Sequence, residues 1–297
     1  MNILITGGDG YIATELFNRF KRDKEHQVIK APRFMLDCTD TMSVDNFLKE
    51  NNFDIIIHAA AKGGRRNYKD DVHSYMDNIK MFENFVRNKD LFGLMISLGS
   101  GAEFDRTQNI TNVSEDNFGL SVSRPLDHYG SSKYYIAARI RKLDTNIVNL
   151  RIFNVFGEFE EPTRMVRSAI MQYLLKKPIF IHQNRKMDFF YIGDLYKVVL
   201  KYIELYNDKK PLEKDMNISY NDYMTLEEVA LEVNELDSHK VEIIIEQEDW
   251  APDYYANGTK LESLGISFER FRNGLRKVYL QDKEKKYDDI FFGGGRY

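Results

Sequence analysis

Residues 2–13, NILITGGDGYIA, decide how the rest of the chain is read. A short apolar run ends at glycines and gives way to YIATELFNRFKR (11–22), which has helical periodicity. That is the pattern of a buried strand, a tight turn and a helix. Gly7, Gly10 and Ala13 recur at three-residue spacing through the turn. Glycine permits the turn and lets backbone N–H groups approach a pyrophosphate, which a helix N-terminus favours electrostatically. Ala13 is small enough for the helix to pack closely on the strand. The spacing departs from the usual G-x-G-x-x-G fingerprint, so alone it also fits an ordinary strand–helix loop. At the head of a strand–helix–strand run it points to a dinucleotide.

The run does continue. HQVIKA (26–31) reads as a second strand and TMSVDNFLKEN (41–51) as a helix with Ser43 as a possible cap. FDIIIHAAA (53–61) is the unbroken apolar strand of a sheet covered on both faces. A helix (73–88), a strand (91–99), a helix (128–143) and a strand (146–157) follow. This alternation predicts an α/β fold, a Rossmann-type doubly wound parallel sheet, with a smaller mixed α/β C-terminal substrate-binding region. Residues 1–157 form the expected dinucleotide domain, to which 185–205 return. Residues 158–297 supply mainly the substrate region and a tail. Thr225 and Glu228 form a capping box before an amphipathic helix.

Composition narrows the class. With 297 residues, 43% hydrophobic and 30% charged, the chain is an ordinary globular protein. A net charge of -4 gives no reason to expect nucleic acid or an anionic membrane as partner. Cys38 is the only cysteine, which excludes an internal disulfide and fits a reducing compartment. No apolar run approaches the ~20 residues of a spanning helix, and the N-terminus does not resemble a signal peptide. A cytoplasmic location is expected. No His/Cys/carboxylate cluster suggests a metal, and His58 on its buried strand reads as structural.

A site for NAD usually places an acid after the second strand. Here that stretch, VIKAPRF (28–34), carries Lys30 and Arg33 instead. A cation there suits a 2′-phosphate, so NADP(H) is favoured and NAD(H) possible. Both residues also fit a solvated surface. Asp37 is placed to accept from the adenine amino group.

Tyr129 and Lys133 stand four apart in DHYGSSKYY (127–135), so a helix puts them on one face. Spacing alone proves little, since Tyr173–Lys177, Tyr206–Lys210 and Tyr279–Lys283 share it. Position decides: this pair follows the strand ending at Ser100, whose hydroxyl falls at the carboxyl end of a parallel strand, where ligands bind. An adjacent ammonium favours the phenolate of a tyrosine that exchanges a proton. Tyr134 and Tyr135 fall on other faces and read as packing residues.

Taken in order, TGGDGYIA (6–13), DIIIHAAA (54–61), Asn78, SLGSGAEF (97–104), YGSSK (129–133), LRIFNVFG (150–157) and RKMDFFYIGDL (185–195) resemble the extended short-chain dehydrogenase/reductases. The likeness is to the NAD-dependent epimerase/dehydratase group acting on nucleotide sugars. It covers roughly residues 1 to 280, closing with NISYNDYMTLEEVA (217–230) and KLESLGISFERFRNGL (260–275). The resemblance implies that Tyr129 is the acid/base, that Lys133 tunes it and holds ribose, and that Ser100 binds the reacting oxygen. It implies that Gly7, Gly10, Tyr11, Ile12, Ala59, Ala60, Ala61, Asn78 and Phe153 meet the cofactor. For the substrate it suggests Lys62, Gly101, Ala102, Asn154 and Arg185, with Arg65 and Arg66 beside Lys62. A homodimer through residues 74–87 and 129–141 is expected by the same analogy.

The family divides at the positions after the serine. Dehydratases carry Asp-Glu there, and the branch resembling GDP-fucose synthase carries a cysteine. Gly101 and Ala102 cannot exchange a proton, and Glu103 is one residue out of register. Reduction of a 4-keto sugar on a nucleotide diphosphate is therefore expected, in surface-polysaccharide or activated-deoxysugar synthesis. Epimerisation at C4 with tightly bound NAD is the alternative, and a non-catalytic cofactor-binding regulator the third.

Overall fold

The computed structural model of the protein describes residues 1–64, 69–119 and 124–284. Arg65, Arg66 and the tail 285–297 lie outside them. Six parallel strands form the main sheet: β1 (Asn2–Thr6), β2 (Gln27–Ala31), β3 (Ile55–His58), β4 (Leu94–Ser100), Ile147–Ile152 and Asp215–Ile218. Their spatial order is β2, β1, β3, β4, Ile147–Ile152, Asp215–Ile218. The chain therefore steps over β1 between β2 and β3, which makes the switch point of the sheet, and its ligand crevice, fall between β1 and β3.

Alternation along each strand sends successive residues to opposite faces. Ile3, Ile5, Ile55, Ile57 and Ile96 pack with Ala13, Leu16 and Phe20 of α1 (Tyr11–Asp23) and with the helix Ile192–Asn207. Leu4, Ile56 and Met95 face the other layer: α2 (Thr41–Glu50), α3 (Val72–Arg87) and α4 (His128–Lys142). Both faces are covered, which is why these strands read as near-continuous apolar runs.

Some local expectations change. Asp40, not Ser43, caps α2, its carboxylate accepting the Met42 N–H at 3.1 Å. The Thr225–Glu228 capping box forms, with Glu228 N–H donating to Thr225 Oγ1 at 3.0 Å. Tyr134 stacks on Phe118 at 4.7 Å, whereas Tyr135, expected to pack, is 40% exposed. The strand Asp215–Ile218 completes the main sheet from well beyond residue 157. A small second sheet orders Met224–Thr225, Lys186–Met187, Tyr254–Ala256 and Ile110–Val113. It lies over the carboxyl end of β4, bringing Tyr254 against Gly101 and Phe153. No described helix is long and apolar enough to cross a membrane.

Candidate active site

A cleft of about 850 Å³ opens where β1 and β3 end, lined by Gly7, Gly10, Arg33, Asp37, Ala59–Ala61 and Lys62 among others. Gly7 turns the chain with φ +66°, and a Cβ there would stand 2.7 Å from the Ala60 backbone. The opposing loop is pinned by Thr6, whose hydroxyl accepts the Ala60 N–H at 3.1 Å. Gly10 begins α1 with no side-chain cap, and the first turn of α1 carries no acid. The opening N–H groups of that helix are thus left for an anion, as a dinucleotide's pyrophosphate requires. The Tyr11 and Ile12 side chains turn elsewhere: the Tyr11 hydroxyl is buried near Glu160, and Ile12 packs on the core. What these two offer the cleft is backbone.

At the other end of the cleft, Arg33 donates from Nε and NH2 to Asp37 Oδ2, each at 3.2 Å. The Asp37 carboxyl is held below its ordinary pKa, by the Thr39 hydroxyl above all and then by the Thr39 amide and Arg33. Lys30, assigned to the cofactor with Arg33, is not among the lining residues. Its ammonium donates to Thr14 at 3.3 Å and lies over the Phe17 ring. Strand alternation explains the difference, since Lys30 is inside β2 while Arg33 follows its end.

The reacting groups stand beyond the pyrophosphate turn. Asp127 caps α4 through the Gly130 N–H at 2.7 Å, so Tyr129 lies in the helix's first turn and Lys133 one turn on. Lys133 is buried, donates to the Leu98 carbonyl at 2.8 Å, and lies 5.8 Å from the centre of the Tyr129 ring. That bond ties α4 to β4, which ends at Ser100. Ser100 is fixed by a reciprocal cap. Its hydroxyl accepts the Ala102 N–H at 3.1 Å, and its own N–H donates to Glu103 Oε1 at 3.0 Å. Glu103 is fully buried, with Arg151 Nε donating to it at 2.6 Å and Asn149 adding a second donor. The carboxylate nearest Ser100 is therefore consumed as a support.

Two further candidate residues are engaged within the protein. Ala102 is 1% exposed; its N–H holds Ser100 and its carbonyl backs on Gly130. The Asn78 amide is bonded within the protein. It accepts the Lys62 N–H at 2.7 Å and donates to the Lys62 carbonyl and to Ser132, each at 2.9 Å. Ser132 in turn donates to the Tyr129 carbonyl at 2.7 Å. Asn78 thus couples the loop after β3 to the start of α4. Lys62 itself lines the cleft, with its ammonium 2.9 Å from Asp77. The other Tyr–Lys pairs serve elsewhere: Tyr279 and Lys283 both bind Asp237, and Tyr173 donates to the His239 carbonyl.

Asn154 and Arg185 reach the same region. Asn154 donates to the Asp188 carbonyl at 3.2 Å and accepts from Arg164 at 2.5 Å. Arg185 lies 5.9 Å from the centre of the Tyr254 ring. Tyr254, Arg164 and Arg106 went unremarked in the sequence. Arg106 pairs with Asp127 at 3.0 Å, and its charge acts on both Tyr129 and Tyr254. Only the small second sheet delivers Tyr254 to this place, and no local motif announces that.

The family model described as the NAD dependent epimerase/dehydratase family matches residues 3–219. The chain belongs to that family and is an NAD(P)-dependent enzyme of the extended short-chain dehydrogenase/reductase type. An uncharacterized UDP-glucose epimerase, YtcB of Bacillus subtilis (strain 168), is 28% identical over 66% of this chain and 71% of its own. A GDP-6-deoxy-D-talose 4-dehydrogenase of Aggregatibacter actinomycetemcomitans is 25% identical over 82% of each. In fold, the GDP-mannoheptose C4 reductase of Campylobacter jejuni, solved with NADP bound, superposes with a TM-score of 0.79. It is 17% identical, over 95% of this chain and 98% of that one.

Proposed function

We propose that the protein reduces the C4 ketone of a sugar carried on a nucleoside diphosphate, using NADPH. The observation that carries this reading is the state of the residues around Ser100. Gly101 and Ala102 are apolar and buried, and Glu103 is locked to Arg151 and the Ser100 amide. A Ser–Tyr–Lys set whose adjacent carboxylate, Glu103, is engaged in this way suits ketone–alcohol chemistry rather than elimination or proton removal from carbon. Reduced nicotinamide, when bound, supplies hydride to the ketone carbon. Ser100 holds the ketone oxygen, and Tyr129 gives that oxygen its proton. Lys133 keeps a positive charge beside the tyrosine as the proton leaves.

In this reading residues 1–157 and the returning helix hold the cofactor. Gly7 and Gly10 bring backbone to the pyrophosphate, Asp37 accepts from adenine, and Phe153 closes the nicotinamide end. Arg33 meets a 2′-phosphate, exchanging Asp37 for a doubly charged partner. The later segments hold the sugar nucleotide, with Arg185, Arg164 and Arg106 around Tyr254 matching a diphosphate in charge and in planar donor geometry. The name of the Campylobacter protein, a C4 reductase, gives the same reaction, and that of the Aggregatibacter protein, a 4-dehydrogenase, gives its reverse. A second reading, 4-epimerisation with retained NAD, draws on Asp37, a carboxylate that suits ribose hydroxyls, and on the name of the Bacillus relative.

Tyr129→Phe tests the assignment of the proton donor. Turnover is expected to fall at least about 100-fold, the scale of general acid catalysis. NADPH affinity, followed by its fluorescence, is expected to stay within about twofold, since the lost hydroxyl makes at most one modest hydrogen bond to the cofactor. Turnover close to wild type in the variant would remove Tyr129 from the reaction.

A further inference from the structure

We propose that Asp70 is a positioning residue that seats the Gly63–Gly64 turn on the Tyr129 ring and so fixes the direction in which Tyr129 presents its proton. The inference rests on the reading of Tyr129 as proton donor and adds what holds that donor in place.

Gly63 and Asp70 both line the cleft beyond the end of β3. The Gly64 N–H donates to the Asp70 carboxylate, at 3.0 Å to Oδ1 and 3.3 Å to Oδ2. Both glycines are left-handed, with φ +91° and +75°. Each also makes way for a side chain. A Cβ on Gly63 would collide with Asp70 Oδ1, and one on Gly64 would stand 2.8 Å from Tyr129 Cζ. Two adjacent glycines thus let the carboxylate close on one and the phenol ring on the other.

The approach to the ring has a direction. The atoms nearest that Cβ on Gly64 are Cζ, Cε1 and Cε2 of Tyr129, at 2.8, 2.9 and 3.0 Å. A point in the ring plane beyond Cζ would meet the phenolic oxygen first. Gly64 therefore lies over the ring face at its hydroxyl end and leaves the hydroxyl itself clear. Backbone placed there stops the ring from swinging to that side.

The turn is tied down at two points, both leading to α3. Asn78 in α3 accepts the N–H of Lys62, the residue before Gly63, at 2.7 Å. Asp70 holds Gly64 and directly precedes Asp71, the cap of α3, whose carboxylate accepts the Ser74 N–H at 2.8 Å. Proton transfer needs the donor within hydrogen-bond reach of its acceptor, and a misplacement of about 1 Å can cost about 100-fold in rate.

The test compares wild type with Asp70→Asn, Asp70→Ala and Gly64→Ala. Asparagine keeps an oxygen for the Gly64 N–H and alanine removes it. Gly64→Ala disturbs the same contact without touching Asp70. Unfolding temperatures report whether each variant is folded. The first readout needs no ligand: NMR of protein carrying carbon-13 at tyrosine Cζ, with the Tyr129 signal identified by its absence from Tyr129→Phe. Asp70→Ala and Gly64→Ala are expected to move that signal, and Asp70→Asn to leave it in place. The second is single-turnover oxidation of saturating NADPH by the 4-keto sugar formed by oxidising GDP-6-deoxy-D-talose at C4. The step is expected to slow about 10-fold in Asp70→Ala, the upper end for one hydrogen bond, and to stay within about twofold of wild type in Asp70→Asn. Gly64→Ala is expected to lose about 10-fold or more, because the ring itself is displaced. A Tyr129 signal or a rate left unchanged by Asp70→Ala, or Asp70→Asn as slow as Asp70→Ala, would overturn the role. Wild type inactive on the ketone, with signals that move as expected, would instead overturn the ketone reading and leave the seat of the tyrosine standing.

Discussion

His58, the last residue of β3, shows how the environment of one side chain sets a stability profile. It is 5% exposed, with its Nδ1 3.1 Å from the Thr6 hydroxyl and its ring beside Phe85. Burial, with Lys133 contributing, depresses its pKa from 6.5 to about 3. The unfolded chain therefore takes up a proton near pH 6.5 that the folded chain refuses. Stability from this group is complete above about pH 6.5 and is lost as pH falls toward 3, at about 1.4 kcal/mol per pH unit. Urea unfolding of wild type and His58→Gln at pH 6 and pH 4.5 should show a steeper loss in wild type. Equal slopes would mean that His58 charges freely in the fold. At this scale the sequence marks candidates by position. Ser100, Tyr129 and Lys133 are marked by their order along the chain, and Arg33 by its place after β2. Asn78 and Ala102 occupy positions that match the family motif and also make hydrogen bonds within the fold. Their hydrogen bonds show that a matching position can equally serve the scaffold.

Elements differ in how clearly their ends are encoded. The Thr225–Glu228 capping box is reciprocal, so it stands out in the sequence and forms as expected. The start of α2 was ambiguous, since Asp40, Thr41 and Ser43 can each accept from a helix N–H. The structure uses Asp40. Asp40→Ala is accordingly expected to cost about 1 kcal/mol, the usual value of an N-cap, and Ser43→Ala only a few tenths. Chemical denaturation of the two variants checks this, and the reverse order would relocate the cap. Five of the six strands of the main sheet were visible, because burial gives them mostly apolar runs. Asp215–Ile218 escaped because it is short and its Asp215 and Asn217 are polar. Those two side chains are bound by Arg151, with Asp215 Oδ2 accepting at 2.7 Å and Asn217 Oδ1 at 2.9 Å. A buried ion pair does not imitate a hydrophobic pattern, so the periodicity could not reveal this strand.

Across the whole molecule, Arg151 joins the support of Ser100 to the edge of the main sheet. It pairs with Glu103, whose carboxylate holds the Ser100 amide, and with Asp215 on the neighbouring strand. Lys133 ties α4 to β4, Asn78 ties the loop after β3 to α4, and the small sheet brings Tyr254 over Gly101. The reaction site is therefore a property of the assembled fold. The sequence showed most of the sheet and marked Ser100, Tyr129 and Lys133 but was silent on the arginines and Tyr254, whose approach depends on strands of two to four residues. The central claim is that this assembly reduces a ketone with an exchangeable cofactor. The most direct measurement follows NADPH absorbance as purified wild type meets the 4-keto sugar formed by oxidising GDP-6-deoxy-D-talose at C4, with the protein's own cofactor content determined first. The account predicts protein that retains little nicotinamide and consumes one NADPH for each ketone reduced. Protein that arrives with stoichiometric, tightly held NAD and leaves NADPH untouched would contradict it.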